Sequence, residues 1–420
     1  MKVSKGAKVN PPTPRQLGYT FPPEWAPHCG TWLSWPRPEG ISFPGRYHHI
    51  ANNLAGLVRA IALHEDVHIN VPNENYHRIA LETLAANGVE KKLLSESSQA
   101  VFFHYIMTNE AWCRDHGPAF VVKDMEGHDE IRRTHPLSEQ GFSLSRKRPL
   151  DPRVAKAWAG GKMMAGSKAA VVDWKFNAWG GKYPPWDSDD AVPTKIGEGA
   201  KLPVFDAPIV MEGGSVDFNG RGTILTTSQC LLNPNRNKGV SKAKIEQALK
   251  DYYGQQHIVW LAEGIEGDDT DGHIDDLARF INPTTIVIGM EENRRDPNYR
   301  ELERAYAKLN KAKDQDGDSF DVVTLPMPKR VEIGGQRCPA TYMNFHFVNG
   351  AVLVPTFGDK STEKRALEIL QDEFADRQVI GVDCRELIWG LGSVHCLTQQ
   401  VPNVPGLRER LRKMAAKTPK

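Results

Sequence analysis

Ser215-Val216-Asp217-Phe218-Asn219-Gly220-Arg221-Gly222-Thr223-Ile224-Leu225-Thr226 reads as two short strands folded back on each other. An Asn-Gly pair between apolar and β-branched runs is the strongest short-range hairpin signal, because both residues accept the positive φ of a tight turn. Residues 342–347, Asn349-Gly350 and 352–355 repeat the pattern, and 277–281, Asn282-Pro283 and 286–288 form a third two-strand unit between them. The turn asparagines at 219, 282 and 349 are separated by 63 and 67 residues. Each hairpin is followed by a helical pattern (241–253, 299–311, 361–374) and then by a short apolar strand (258–261, 322–325, 379–382). A ββαβ unit recurring at a near-constant period predicts an array or propeller, whose units are each too small to bury a core alone.

The same grammar extends toward the N-terminus. Residues 119–122 open an earlier hairpin, and the polar, basic segment at about 132–168 reads as a surface insertion in that unit. Before it come a strand at 31–36 stopped by Pro36, helices at 48–63 and 74–86, and strands at 67–71 and 101–106. With this region counted, about five units fill the chain. The expected organisation is one α/β domain over 18–402, with a flexible N-terminal tail at 1–17 and a basic C-terminal tail at 403–420.

Composition narrows the function classes. In 420 residues, 53 Lys+Arg balance 52 Asp+Glu, so neither nucleic acid nor an anionic membrane is indicated as a partner. No apolar run approaches a transmembrane span, and the N-terminal residues lack the apolar stretch of a secretory signal. Six cysteines lie far apart with no CxxC pair, which predicts reduced thiols and a cytoplasmic location without structural zinc.

Four polar motifs sit at the ends of these predicted strands. Gly390-Leu391-Gly392-Ser393-Val394-His395-Cys396 reads as a glycine-loosened turn that delivers Cys396, as an accessible thiol, to the start of a β-prone run. Asp271-Gly272-His273-Ile274-Asp275-Asp276, if extended, places His273 and Asp275 on one face. Glu212-Gly213-Gly214 lets the main chain crowd a ligand while Glu212 projects from a strand end, and Trp112-Cys113-Arg114-Asp115 offers an apolar wall and a carboxylate. Alone, each also fits a plain turn or solvated loop. Together they supply a nucleophile (Cys396), a proton shuttle (His273) and carboxylates (Asp115, Asp275, Glu212) suited to a planar, forked guanidinium. Trp112, Gly213 and Asn344 join Asp115, Asp275 and Glu212 as substrate-binding candidates. Cys113 reads as packing. His395 reads as structural, since consecutive strand side chains face opposite ways.

Trp112-x-Arg114-Asp115-x-Gly117-Pro118, Glu212-Gly213-Gly214, His273-x-Asp275 and His395-Cys396-x-Thr398-Gln399-Gln400 resemble the agmatine deiminase and bacterial peptidylarginine deiminase family of the guanidine-modifying (pentein) superfamily. Supporting segments are Phe176-Asn177-x-Trp179-Gly180-Gly181, Leu232-Asn233-Pro234-Asn235-Arg236-Asn237 and Trp25-x-Pro27-His28. The resemblance covers about 18–402 and implies a five-fold α/β propeller. It implies that Cys396 attacks the guanidinium carbon, that His273 protonates the leaving ammonia and then activates water, and that Asp115 and Asp275 hold the guanidinium. Glu212 would contact substrate or orient the histidine. No metal and no organic cofactor is implied.

The chain departs from the agmatine enzymes at Ser393, where they carry asparagine, and at Arg37-Pro38-Glu39-Gly40, where they carry Asn-Trp-Arg. The leading reading is hydrolysis of a small guanidine, agmatine to N-carbamoylputrescine and ammonia. Deimination of arginine in peptides, transfer to an amine acceptor, a non-catalytic guanidine-binding protein and a metal site on Cys396, His273 and Asp275 are the alternatives. A homodimer is compatible with all of them.

Overall fold

In a computed structural model, which describes residues 11–95, 98–123, 167–417 and 419, the repeated unit is visible sheet by sheet. Val216–Phe218 pairs antiparallel with Thr223–Thr227, which pairs parallel with His257–Leu261 after the helix Lys242–Tyr253. Ala278–Phe280, Thr285–Met290 and Asp321–Pro326 repeat this order around the helix Pro297–Leu309. His346–Val348, Ala351–Thr356 and Gln378–Asp383 repeat it around Lys360–Glu373. Ala119–Val122, Ala169–Lys175 and Val204–Val210 follow suit around Val192–Gly199. The result is a mixed α/β fold of several small sheets.

The remaining large sheet joins the two ends of the chain. Gln399–Pro402 pairs antiparallel with His28–Ser34, which continues in parallel to Asp66–Val71 and Val101–Tyr105. This long-range pairing seats the Cys396 motif against the N-terminal strand. No local signal announces it, because a hairpin strand supplied from the far end of the chain has no turn to mark it.

Each turn asparagine works through its side chain. Asn219 Oδ1 accepts from the main-chain N–H groups of Arg221, Gly222 and Thr223 at 2.9, 3.1 and 2.9 Å, and Gly220 takes φ 72°. Asn282 Oδ1 accepts from Thr284 and Thr285. Asn349 instead bonds His28 in both directions, its Oδ1 to the main-chain N–H at 3.0 Å and its Nδ2 to the carbonyl at 2.9 Å, tying the last hairpin to the first strand.

Apolar helix faces close the cores. Leu54, Val58 and Ile61 pack with Ile69 and Leu353; Ile245 and Leu249 pack with Ile224; Leu302 and Leu309 pack with Ile288. Each fully buried leucine or isoleucine contributes about 1.5–3 kcal/mol of transfer free energy.

Several expectations need correction. The predicted basic C-terminal tail contains a helix, Leu407–Met414, because Leu407 and Leu411 are buried and Arg408 and Arg412 converge on Asp66. Within the predicted N-terminal tail, Arg15–Leu17 forms a 3-10 turn. Val394–Leu397 is a helical turn, not the start of a strand, and Ile274–Asp276 is a 3-10 turn, not an extended segment. The strand predicted at 342–347 is His346–Val348, which leaves Asn344 in a loop. Except for its last two residues, the 132–168 insertion lies outside the described residues.

Candidate active site

Asn344 explains the local conformation around Cys396. Its Oδ1 accepts from the main-chain N–H groups of His395 (2.9 Å) and Cys396 (3.2 Å) and from Ser393 Oγ (2.8 Å). N–H groups at the start of a helical turn have no partner within the turn, and here a side chain 49 residues earlier than Ser393 collects them. Thr398 Oγ1 closes the other end on the Val394 carbonyl at 3.0 Å. The turn is therefore made by a tertiary contact, against the β-prone local sequence.

The predicted residues meet at Asp275. Cys396 Sγ lies 3.7 Å from Asp275 Oδ2, and His273 Nδ1 lies 4.0 Å from Asp275 Oδ1 and 3.6 Å from Asp115 Oδ1. His273 Nε2 lies 3.7 Å from Glu212 Oε2. All of these side chains are buried. Gly214 makes the convergence sterically possible: a Cβ there would come within 2.6 Å of His273 Nδ1, 2.9 Å of Asp115 Oδ1 and 3.0 Å of Asp275 Oδ2. The glycine pair thus lets the main chain crowd the site's own side chains. Gly213, a substrate-binding candidate, packs against the Arg114 carbonyl instead, which a Cβ would approach to 2.1 Å.

Partners orient most of these groups. Trp179 Nε1 donates to Asp115 Oδ2 at 2.9 Å, and the Gly214 N–H donates to its Oδ1 at 3.0 Å. Arg236 Nε donates to Glu212 Oε1 at 2.6 Å. Among the described residues, both ring nitrogens of His273 and Asp275 Oδ1 have no hydrogen-bond partner. Buried polar atoms without partners are costly, which points to a ligand that completes them.

Charge follows the geometry. Burial alone would lower the His273 pKa, but Asp115, Cys230 and Glu212 outweigh it and hold the value well above the usual histidine range. Burial, then Asp275, Asp276 and Asp115, push the Cys396 thiol well above the usual cysteine range. Asp115 is raised by burial, whereas Asp275 is lowered against burial by His395. Arg236 overcomes burial at Glu212 and brings it to about 2.

Asp115 and Cys396 line a single open cleft of about 960 Å³, whose walls include Trp112, Trp179, Tyr183 and Trp389. The indole of Trp112 is held by Ser42 Oγ at 2.8 Å. Asp115 and Asp269 are the charged side chains of the lining, and among the described lining residues there is no lysine or arginine. Asp275, Asp276 and Cys396 bring ligand atoms within 4.8 Å of one another, but Asn344 Nδ2 already donates into that space, at 3.2, 2.9 and 3.1 Å from the three. The position a metal ion would take among them is filled by an amide.

Sequence reasoning did not assign Trp179, Asp276, Arg236 or Glu24 to the site. Trp179 and Arg236 lie in motifs singled out for other reasons, while Glu24 carries no local signal. His395, read as structural on strand alternation, lies on a helical turn and donates to Asp275 Oδ2 at 2.7 Å.

Residues 20–402 match the family described as Porphyromonas-type peptidyl-arginine deiminase. Agmatine deiminase of Medicago truncatula is 30% identical over 416 residues, covering 93% of this chain and 98% of that protein. Agmatine deiminase of Enterococcus faecalis superposes with a TM-score of 0.75 at 30% identity, covering 94% of this chain and 99% of that one. A Cys-to-Ser variant of C. jejuni agmatine deiminase with substrate bound gives 0.73 at 28% identity, covering 92% and 96%. The chain belongs to the Porphyromonas-type peptidyl-arginine deiminase family.

Proposed function

We propose that this chain is a hydrolase of guanidino C–N bonds that converts agmatine to N-carbamoylputrescine and ammonia through a covalent adduct on Cys396. The observation that carries the reading is the buried acidic cluster that Asp115 and Cys396 open to the cleft: Asp115 and Asp275 flank His273 and Cys396, with Asp275 Oδ1 and both His273 nitrogens unpartnered among the described residues. A guanidinium presents forked N–H donors in one plane and satisfies such carboxylates directly.

Entry of the cation offsets the burial and the three carboxylates that push the Cys396 thiol upward, so the thiol gives its proton to solvent and the thiolate forms when substrate is present. Sγ attacks the guanidinium carbon, forming a C–S bond and moving a C=N electron pair onto nitrogen. The His273 imidazolium gives its proton to the departing nitrogen, the C–N bond breaks, and ammonia leaves a thiouronium. Neutral His273 then takes a proton from water as the oxygen adds to the carbon. Collapse breaks the C–S bond and regenerates the thiolate. The second proton of the water goes to ammonia, and the ureido product leaves.

The cleft favours agmatine over free arginine. Agmatine carries a positive charge at each end of a methylene chain, and the lining offers aromatic walls between Asp115 and Asp269. An arginine α-carboxylate would meet Asp269, with Lys182 beside it already committed to Asp269 and Asp271. The same reading treats 18–402 as one catalytic domain whose five large sheets form a five-fold α/β propeller about the site.

Incubation with agmatine, free arginine and an arginine peptide, followed by a ureido assay with Cys396→Ala as control, tests the proposal. Product from agmatine that disappears in the variant is expected. No product from agmatine would overturn the substrate assignment, product from the peptide alone would make the protein a peptidylarginine deiminase, and Cys396→Ala matching wild type would remove the covalent mechanism.

A further inference from the structure

Asp275 is held from behind by a buried chain of groups that the proposed mechanism does not use. His395 Nδ1 bonds Asp275 Oδ2 at 2.7 Å, and His395 Nε2 bonds Glu24 Oε2 at 2.7 Å. Both partners are carboxylates kept ionised by their surroundings: His395 outweighs burial at Asp275, and His395, Arg279 and Arg114 outweigh it at Glu24. An ionised carboxylate only accepts, so a His395 ring nitrogen that carries a proton donates to the carboxylate it faces. Glu24 is anchored in turn by Arg279 Nη2 at 2.9 Å, by His346 Nδ1 at 3.0 Å and by the Phe347 N–H at 3.0 Å. Arg114 Nη2 lies 3.3 Å from Glu24 Oε2, and Arg114 Nε bonds the His395 carbonyl. Glu24 therefore sits beneath both substrate carboxylates, reaching Asp275 through His395 and the segment of Asp115 through Arg114.

We infer that Glu24 and His395 are positioning residues that hold Asp275 by its Oδ2, so that its Oδ1 stays turned toward the guanidinium. The bond from His395, with a second from Asn344 Nδ2 at 3.2 Å, occupies Oδ2 and leaves Oδ1 without a partner among the described residues. Without that pair, the carboxylate rotates about its Cβ–Cγ bond and pairs with whichever donor is nearest. The inference rests on the guanidine reading of the site.

Two substitutions at one position separate positioning from packing. In His395→Asn the side-chain amide lies where Nδ1 lies and still donates to Asp275. In His395→Gln it reaches toward Glu24 and the donation to Asp275 is lost. With agmatine as substrate, His395→Gln is expected to lose about ten- to hundredfold in kcat/KM relative to His395→Asn, chiefly through KM, the scale of one hydrogen bond to a charged group. The thermal midpoints of the two variants should agree. Glu24→Gln, which keeps the shape and removes the charge, should raise KM in the same direction.

Calorimetric titration of agmatine into the two His395 variants on a Cys396→Ala background reads the same order without turnover. Equal losses in the Asn and Gln variants, or a better Gln variant, would overturn the positioning role while leaving the deiminase reading intact. Absence of wild-type turnover with the binding order preserved would overturn the catalytic reading and keep the positioning role. Agmatine that neither binds nor reacts would overturn both.

Discussion

Asp275 has a buried histidine on each side, and the two are built in opposite ways. On the Glu24 side, His395 has both ring nitrogens in 2.7 Å bonds to carboxylates. On the Glu212 side, His273 has carboxylates at 3.6, 3.7 and 4.0 Å and no hydrogen bond to either nitrogen among the described residues. Both imidazoles are buried and each has at least two carboxylates as neighbours. The difference teaches which one can move a proton. A ring whose donors are already bonded to charged partners is locked, whereas one that faces charge across a gap is poised and incomplete.

The largest effect expected from this contrast is at the thiol between the two sides. Cys396→Ala should lower kcat with agmatine by about 10⁴-fold or more, since Cys396 is the thiol beside Asp275 and so the nucleophile of the proposed reaction. A single-turnover assay that still yields ureido product at a comparable rate would break the comparison at its centre. His273→Asn, on the open side, should lower kcat by about 10²–10⁴-fold with little change in agmatine binding. If its effect fell on KM alone, His273 would be a binding residue.

On the proposed reading, Asp115→Ala and Asp275→Ala each remove a carboxylate that would pair with the guanidinium. Losses of about 3–5 kcal/mol in kcat/KM are expected at each. Mild effects at both would place the guanidinium elsewhere in the cleft.

The pH dependence tests the open side further. Cys396 and His273 are both displaced upward, so the thiolate of the empty protein is scarce at neutral pH and grows as pH rises. Alkylation of Cys396 by iodoacetamide should accelerate by about tenfold per pH unit between about pH 6 and 9, and agmatine should protect against it. A pH-independent alkylation rate would mean that the carboxylates do not govern the thiol.

The smallest effect is expected at Trp179→Phe, which removes the 2.9 Å donation to Asp115 Oδ2 and leaves the ring in the wall. A loss of about 1.5 kcal/mol, or about tenfold in KM, follows for a bond to a charged acceptor. An unchanged KM would show that the Gly214 N–H alone holds Asp115.

The repeat was legible because its signals are local. Asn219-Gly220 and Asn349-Gly350 mark hairpins through the φ each turn requires, and the helices predicted at 74–86 and 241–253 appear as Glu74–Ala86 and Lys242–Tyr253. The chemical residues were legible as types at motif spacing, and Cys396, His273, Asp115, Asp275 and Glu212 do converge. The routes by which they converge were not. His273 and Asp275 meet through a 3-10 turn instead of strand alternation, and Cys396 rides a helical turn capped by Asn344.

The amino-acid sequence by itself determined the repeated hairpins and helices, their period and the inventory of reactive groups, because each of these depends on residues within a turn or two of one another. Tertiary structure alone decided which groups face each other. Glu24 reaches His395 across 371 positions, and Asn344 shapes the turn that carries Cys396 from 52 positions away. The free energy of such a contact belongs to a pair of residues brought together by folding, so neither residue's neighbours along the chain carry a trace of it.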